Sequence, residues 1–85
     1  KNMKLKYFAW VKEILGKDEE NIDIPIGIKT LGDLIDWLVS EDEAFVEVFK
    51  NRELVKAAID LELQDYSCSI ENAKEIAFFP PVTGG

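Results

Sequence analysis

Thr30-Leu31-Gly32-Asp33-Leu34-Ile35-Asp36-Trp37-Leu38-Val39 is the stretch that governs how the rest of the chain can fold. Leu31, Leu34, Ile35, Leu38 and Val39 recur every three or four residues, which puts them on one stripe of a helix. The Thr30 hydroxyl can cap the orphan N–H groups of the first turn, and Asp33 favours its positive end. Gly32 costs this helix about 1 kcal/mol relative to alanine. Trp37 falls off the stripe and is expected to flank the core. A helix with a single apolar stripe must bury it, and the flanking sequence supplies strands.

Upstream, Met3-Lys4-Leu5-Lys6-Tyr7-Phe8-Ala9-Trp10 alternates and reads as a strand, most clearly in its first half. Met3, Leu5 and Tyr7 share one face, and Lys4, Lys6, Phe8 and Trp10 the other. Residues 11–15 read as a short helix closed by Gly16. Residues 17–21 form a polar turn. Ile22-Asp23-Ile24-Pro25 is a second strand, and Pro25, without an N–H, places it at an edge or an end. Downstream, residues 43–49 carry a second, shorter helical pattern, with Glu41-Asp42-Glu43 as its solvated start, and Asn51-Arg52 is a turn. Residues 55–59 and 61–63 read as strands, 65–73 as a polar connection and 75–79 as the last strand. Pro80-Pro81 ends it by removing donors and fixing φ. Strands before and after a helix predict an α+β class: a mixed sheet with one main helix across one face.

The chain has 85 residues, enough for one small two-layer domain, and 47% hydrophobic content makes it globular. Ten Lys and Arg against 17 Asp and Glu give a net charge of −7. That charge repels phosphate backbones and anionic membranes, so no nucleic acid and no membrane are expected as partners. A basic protein surface is favoured instead. No apolar run is long enough to span a bilayer and no signal-peptide pattern opens the chain, while Lys1-Asn2 precede Met3 and need not be native sequence. A lone cysteine fits a reducing compartment, so the expected location is cytoplasmic. The chain has no histidine, which removes the commonest general base and metal ligand together. Cys68 alone cannot hold zinc, so no metal site and no bound cofactor are expected. Tyr66-Ser67-Cys68-Ser69 has no cationic cluster to lower the thiol pKa, and Cys68 reads as an incidental loop thiol rather than a persulfide carrier. Catalysis by this chain alone is not expected.

The end of the chain carries the chemistry: Phe78-Phe79-Pro80-Pro81-Val82-Thr83-Gly84-Gly85. The prolines stiffen an exit from the last strand, and residues 80–85, if extended, reach about 20 Å beyond the sheet. Gly84 and Gly85 lack Cβ atoms and can thread a channel too narrow for other residues. Residues 3–79 are thus expected to form the folded domain and 80–85 a flexible tail that delivers its terminus to another protein. The bland alternative is an inert, frayed end. With Leu5, Tyr7, Ile76 and Phe78 against the helix, alternation leaves Phe8, Trp10, Ala77 and Phe79 on the opposite sheet face. Phe8, Trp10 and Phe79 are the expected partner-binding aromatics, although Phe8 or Trp10 could instead lie under a loop.

This tail resembles the end of the small, sulfur-carrying subunits of molybdopterin synthase, members of the ubiquitin-like β-grasp sulfur carriers that include the ThiS proteins. The resemblance extends to Lys6-Tyr7-Phe8-Ala9-Trp10-Val11-Lys12-Glu13-Ile14-Leu15-Gly16, to Asp23-Ile24-Pro25 and to Thr30-Leu31-Gly32-Asp33-Leu34. Two places depart from the family pattern. Its asparagine after the third strand is not obvious in Ala57-Ala58-Ile59-Asp60, and its Asp-Gly turn before the last strand is Asn72-Ala73, where Asn72 would need a left-handed backbone.

The resemblance implies a β-grasp fold and a carrier that is not itself an enzyme. A terminal carboxylate is a poor electrophile, so loading sulfur onto it requires activation. The family's route is adenylation of Gly85 with ATP by a partner similar to ubiquitin-activating enzymes, then displacement of AMP by a sulfur donor protein. A C-terminal thiocarboxylate results. The tail, Pro80, Pro81, Val82, Thr83 and Gly84 leading to Gly85, then enters the active site of the large synthase subunit. There two sulfur transfers to cyclic pyranopterin monophosphate build the dithiolene used in molybdenum cofactor biosynthesis. Delivery to thiamin synthesis or another acceptor, or attachment through Gly85 to target lysines as a modifier, rests on the same activated glycine.

Overall fold

The computed structural model describes residues 1–81; Val82, Thr83, Gly84 and Gly85, on which the tail reading chiefly rests, lie outside them. In chain order the elements are β1 (Asn2–Tyr7), α1 (Ala9–Leu15), β2 (Glu19–Asp23), α2 (Leu31–Glu41), α3 (Glu43–Val48), a 3-10 turn (Arg52–Leu54), β3 (Lys56–Ile59), β4 (Glu62–Gln64) and β5 (Glu75–Phe79). The strands form one sheet in the order β2-β1-β5-β3-β4. β1 and β5 pair parallel, and every other neighbouring pair is antiparallel. This is the mixed sheet and α+β class that the strand–helix–strand pattern implies.

The helix that organises the chain begins as its sequence dictates. The Thr30 hydroxyl accepts from the Asp33 N–H and the Asp33 carboxylate accepts from the Thr30 N–H, a reciprocal cap. Backbone N–H groups of Thr30 and Lys29 hold the Asp33 carboxyl below the usual carboxylate range. Leu31, Leu34, Ile35 and Leu38 are buried against Met3, Leu5, Tyr7, Ile76 and Phe78 from the central strands. Trp37 and Val39 pack at the margin of that core. Gly32 has a positional reason: a Cβ there would sit 3.2 Å from the Tyr66 carbonyl oxygen, which accepts the Gly32 N–H at 2.8 Å. Asp42 ends α2 and caps α3, its carboxylate accepting from the Ala44 N–H.

Several features differ from the sequence-based expectation. β1 stops at Tyr7, because Phe8 is extended but Ala9 turns to φ +53 and starts α1 two residues earlier than the alternation suggests. β2 begins at Glu19, within the stretch expected to be a turn. Its acidic residues find support from β1: Lys6 is opposite Glu19, Lys4 is opposite Asn21, and the Lys4 ammonium lies 3.5 Å from the Glu19 carboxylate. Residues 65–73 are not merely polar, since Ile70 and Ala73 are buried and Ser69 bridges Thr30. Finally, Asn72 does not take the left-handed backbone. Asp60 and Leu61 do, at φ +48 and +75, in the tight turn between β3 and β4. Asp60 also anchors the approach to β5, its carboxylate accepting from the N–H groups of Lys74 and Glu75.

Candidate functional site at the root of the tail

Strand β5 is the middle of the five, so the chain leaves the sheet from its centre with neighbours on both sides. Tyr7 of β1 registers with Phe78 and Lys56 of β3 with Phe79, so both flanking strands have an end at the tail root. The Phe8 N–H donates to the Phe78 carbonyl at 3.1 Å, which carries the parallel ladder one residue past β1. Pro80 and Pro81 follow, half-buried, with no N–H to extend the pairing.

Alternation divides this end of the sheet. Tyr7 and Phe78 point into the core with rings stacked 6.4 Å apart, and Phe49 meets Phe78 edge-on at 5.2 Å. The Tyr7 hydroxyl donates to Glu20 at 2.6 Å. Burial first, and then that carboxylate, push the phenol far above its ordinary pKa. Phe8 and Phe79, each one position past the buried Tyr7 and Phe78, alternate to the open face, Phe8 48% exposed and Phe79 half-buried. The open face around them carries Ala77, Ala58 and Leu63, the last two facing each other across β3 and β4. Leu63 is 67% exposed, so the apolar surface continues to the sheet edge. The Lys6–Glu75 pair, 3.4 Å apart, and Lys4–Glu19 border it, and exposed Lys56, opposite Phe79, adds a positive charge at its rim.

Two of the three expected aromatics therefore lie at the end of the sheet from which the tail leaves. Trp10 does not join them on the sheet face. It lies within α1, half-buried, where it packs against the core and beside Ile14 and Leu54. The positive φ of Ala9 is the cause, because it breaks the two-residue alternation that placed Trp10 with Phe8. The sequence reading missed Leu63, whose position opposite Ala58 depends on the β3–β4 register, and Leu54, which alternation could not reach because it sits in the 3-10 turn. Cys68 is half-buried in the long connection, its thiol directed at the Ser69 carbonyl. Among the described residues no group of three or more Cys, Asp and Glu side chains is placed to hold a metal ion, and no helix is long and apolar enough to cross a membrane. The arrangement offers a docking surface around an emerging strand end.

Comparison with known proteins bears on the same features. A sulfur carrier subunit of molybdopterin synthase from Dictyostelium discoideum is 34% identical over 84 residues, covering 96% of this chain and 94% of that protein. The Escherichia coli protein of the same name is 29% identical over 85 residues, covering 98% and 99%. Among solved structures, SAMP1 from Haloferax volcanii, a small archaeal modifier protein, superposes with a TM-score of 0.75 at 29% identity and full coverage of both chains. The ubiquitin-like β-grasp fold expected from the resemblance is thereby shown. The named relatives are carrier subunits, in keeping with a chain that is not itself an enzyme. Residues 5–85 match the ThiS family, and the chain belongs to that family of small sulfur carriers.

Proposed function

We propose that this protein carries sulfur on the carboxyl group of Gly85 for molybdopterin synthesis in the cytoplasm. The observation that carries the reading is the exit of the central strand β5 through Pro80-Pro81 at the end of the sheet where exposed Phe8 and half-buried Phe79 lie. Phe8 and Phe79 dock the partner, with Trp10 contributing from the helical side. Pro80, Pro81, Val82, Thr83 and Gly84 thread the tail, and Gly85 is the reacting residue. Attack of its carboxylate on the α-phosphorus of ATP, within an activating partner, forms an acyl adenylate and releases pyrophosphate. Sulfide-level sulfur delivered by a donor protein then attacks the acyl carbon, the acyl–phosphate bond breaks with loss of AMP, and the thiocarboxylate remains. The large synthase subunit accepts the tail and supplies acid and base groups, which suits a carrier with no histidine of its own.

The name of the Haloferax relative favours one second reading, a modifier linked through Gly85 to lysines of other proteins. Intact-mass measurement after co-expression with the activating enzyme and sulfur donor separates the two. Exchange of one oxygen for sulfur at the carboxyl terminus is the expected result. A ladder of lysine-linked adducts establishes the modifier, and an unchanged mass overturns both.

A further inference from the structure

The tail root has a second side. On the helical layer, Trp10 and Ile14 of α1, Val48 of α3 and Leu54 of the 3-10 turn line a cavity of about 250 Å³, edged by Glu47, Lys50 and Asn51. The volume suits one or two bulky apolar side chains. Its wall is open rather than sealed, with Ile14 36% and Leu54 47% exposed. Its position follows from the register. α1 starts two residues after Tyr7, which faces Phe78, and the 3-10 turn ends two residues before Lys56, which faces Phe79. The cavity therefore lies at the same end of the molecule as Pro80, across the sheet from Phe8 and Phe79.

Charge gives the occupant its character. Between residues 33 and 53 the chain carries seven carboxylates against Lys50 and Arg52 alone. Lys50 is paired with Glu47 at 2.8 Å and Arg52 with Asp36 at 2.6 Å, so neither offsets the remaining acids. Glu47 edges the cavity itself, and the whole chain carries a net charge of −7. An acidic segment would be repelled here, and a basic one steered in.

We propose that this groove is a second docking site, which takes an apolar side chain from a basic segment of the protein that accepts the tail. The inference rests on the carrier reading in that the tail acceptor is taken to be the large synthase subunit. Such a partner would grip the emerging strand from both layers, with the sheet face and the groove as separate contacts.

The test is calorimetric titration of the full-length chain with its cognate large subunit. Leu54 is half exposed, so Leu54→Ala is expected to fold as the parent does and to weaken binding about tenfold or more. Photo-cross-linking from a benzophenone side chain at position 54 is expected to label a segment of the large subunit bearing Lys or Arg beside an apolar residue. Unchanged affinity for Leu54→Ala, with Phe79→Ala weakened, overturns the groove while leaving the carrier reading intact. Cross-links to a second copy of this chain, or to an acidic segment, also overturn it. Failure of the unaltered chain to bind the large subunit defeats both.

Discussion

Tyr7 does two jobs with one side chain. Its ring fills the core between Phe45 and Phe78, and its hydroxyl reaches the edge strand to meet Glu20, which Lys17 also holds at 3.0 Å. Removing only the hydroxyl leaves the packing and takes away a charge-assisted bond. Tyr7→Phe is expected to cost about 1.5 kcal/mol at neutral pH in urea denaturation. The pH dependence has a definite sign. A phenol whose pKa is raised by folding binds its proton more tightly in the native state, so its contribution is complete below about pH 10 and is lost as pH rises beyond it. The parent should therefore weaken in alkali, and Tyr7→Phe should weaken less steeply. Tyr66, also raised by burial, supplies a smaller remaining slope. An unchanged alkaline slope in the variant would show that the Tyr7–Glu20 bond does not govern it.

Elements were legible where the pattern had a single cause. The stripe from Leu31 to Leu38 and the cap from Thr30 to Asp33 depend only on local spacing and chemistry, and both appear as read. β2 was half hidden because Glu19 and Glu20 gain strand character from lysine and tyrosine partners on β1, which no local window contains. The placement of the candidate aromatics was half legible for a related reason. Phe8 and Phe79 follow from alternation, but Trp10 depends on one backbone angle at Ala9. That angle has a measurable cost, since an L-residue with a left-handed backbone is strained. Ala9→Gly is expected to raise stability by about 0.5 kcal/mol, after its own entropic cost. Gly32→Ala should do the opposite. Its gain in helix propensity of about 1 kcal/mol is outweighed by a Cβ pressed on the Tyr66 carbonyl, which the Gly32 N–H and the Tyr66 side chain hold in place. Thermal unfolding of the two variants side by side checks both signs.

At the scale of the whole molecule, the residues that make the core and the residue proposed to carry sulfur are different ones. The buried apolar core runs from Met3 to Phe78. Deleting Gly85 is therefore expected to leave the melting temperature unchanged while abolishing sulfur loading, as read by intact mass. A large drop in melting temperature, or loading that survives the deletion, would contradict that separation. The candidate tail is a matter of sequence alone, but the surface at its root needed the sheet order, because β1, β3 and β5 meet only in space. Their order has a mechanical side. β1 and β5 lie parallel from Lys4 opposite Glu75 to Tyr7 opposite Phe78, with β3 bonded along the other edge of β5. A tug on the last residues loads those rungs lengthwise, so they resist together instead of unzipping singly. A partner that drew on the end of this chain, as the proposed carrier role requires, could pull hard on the rope without unravelling the knot.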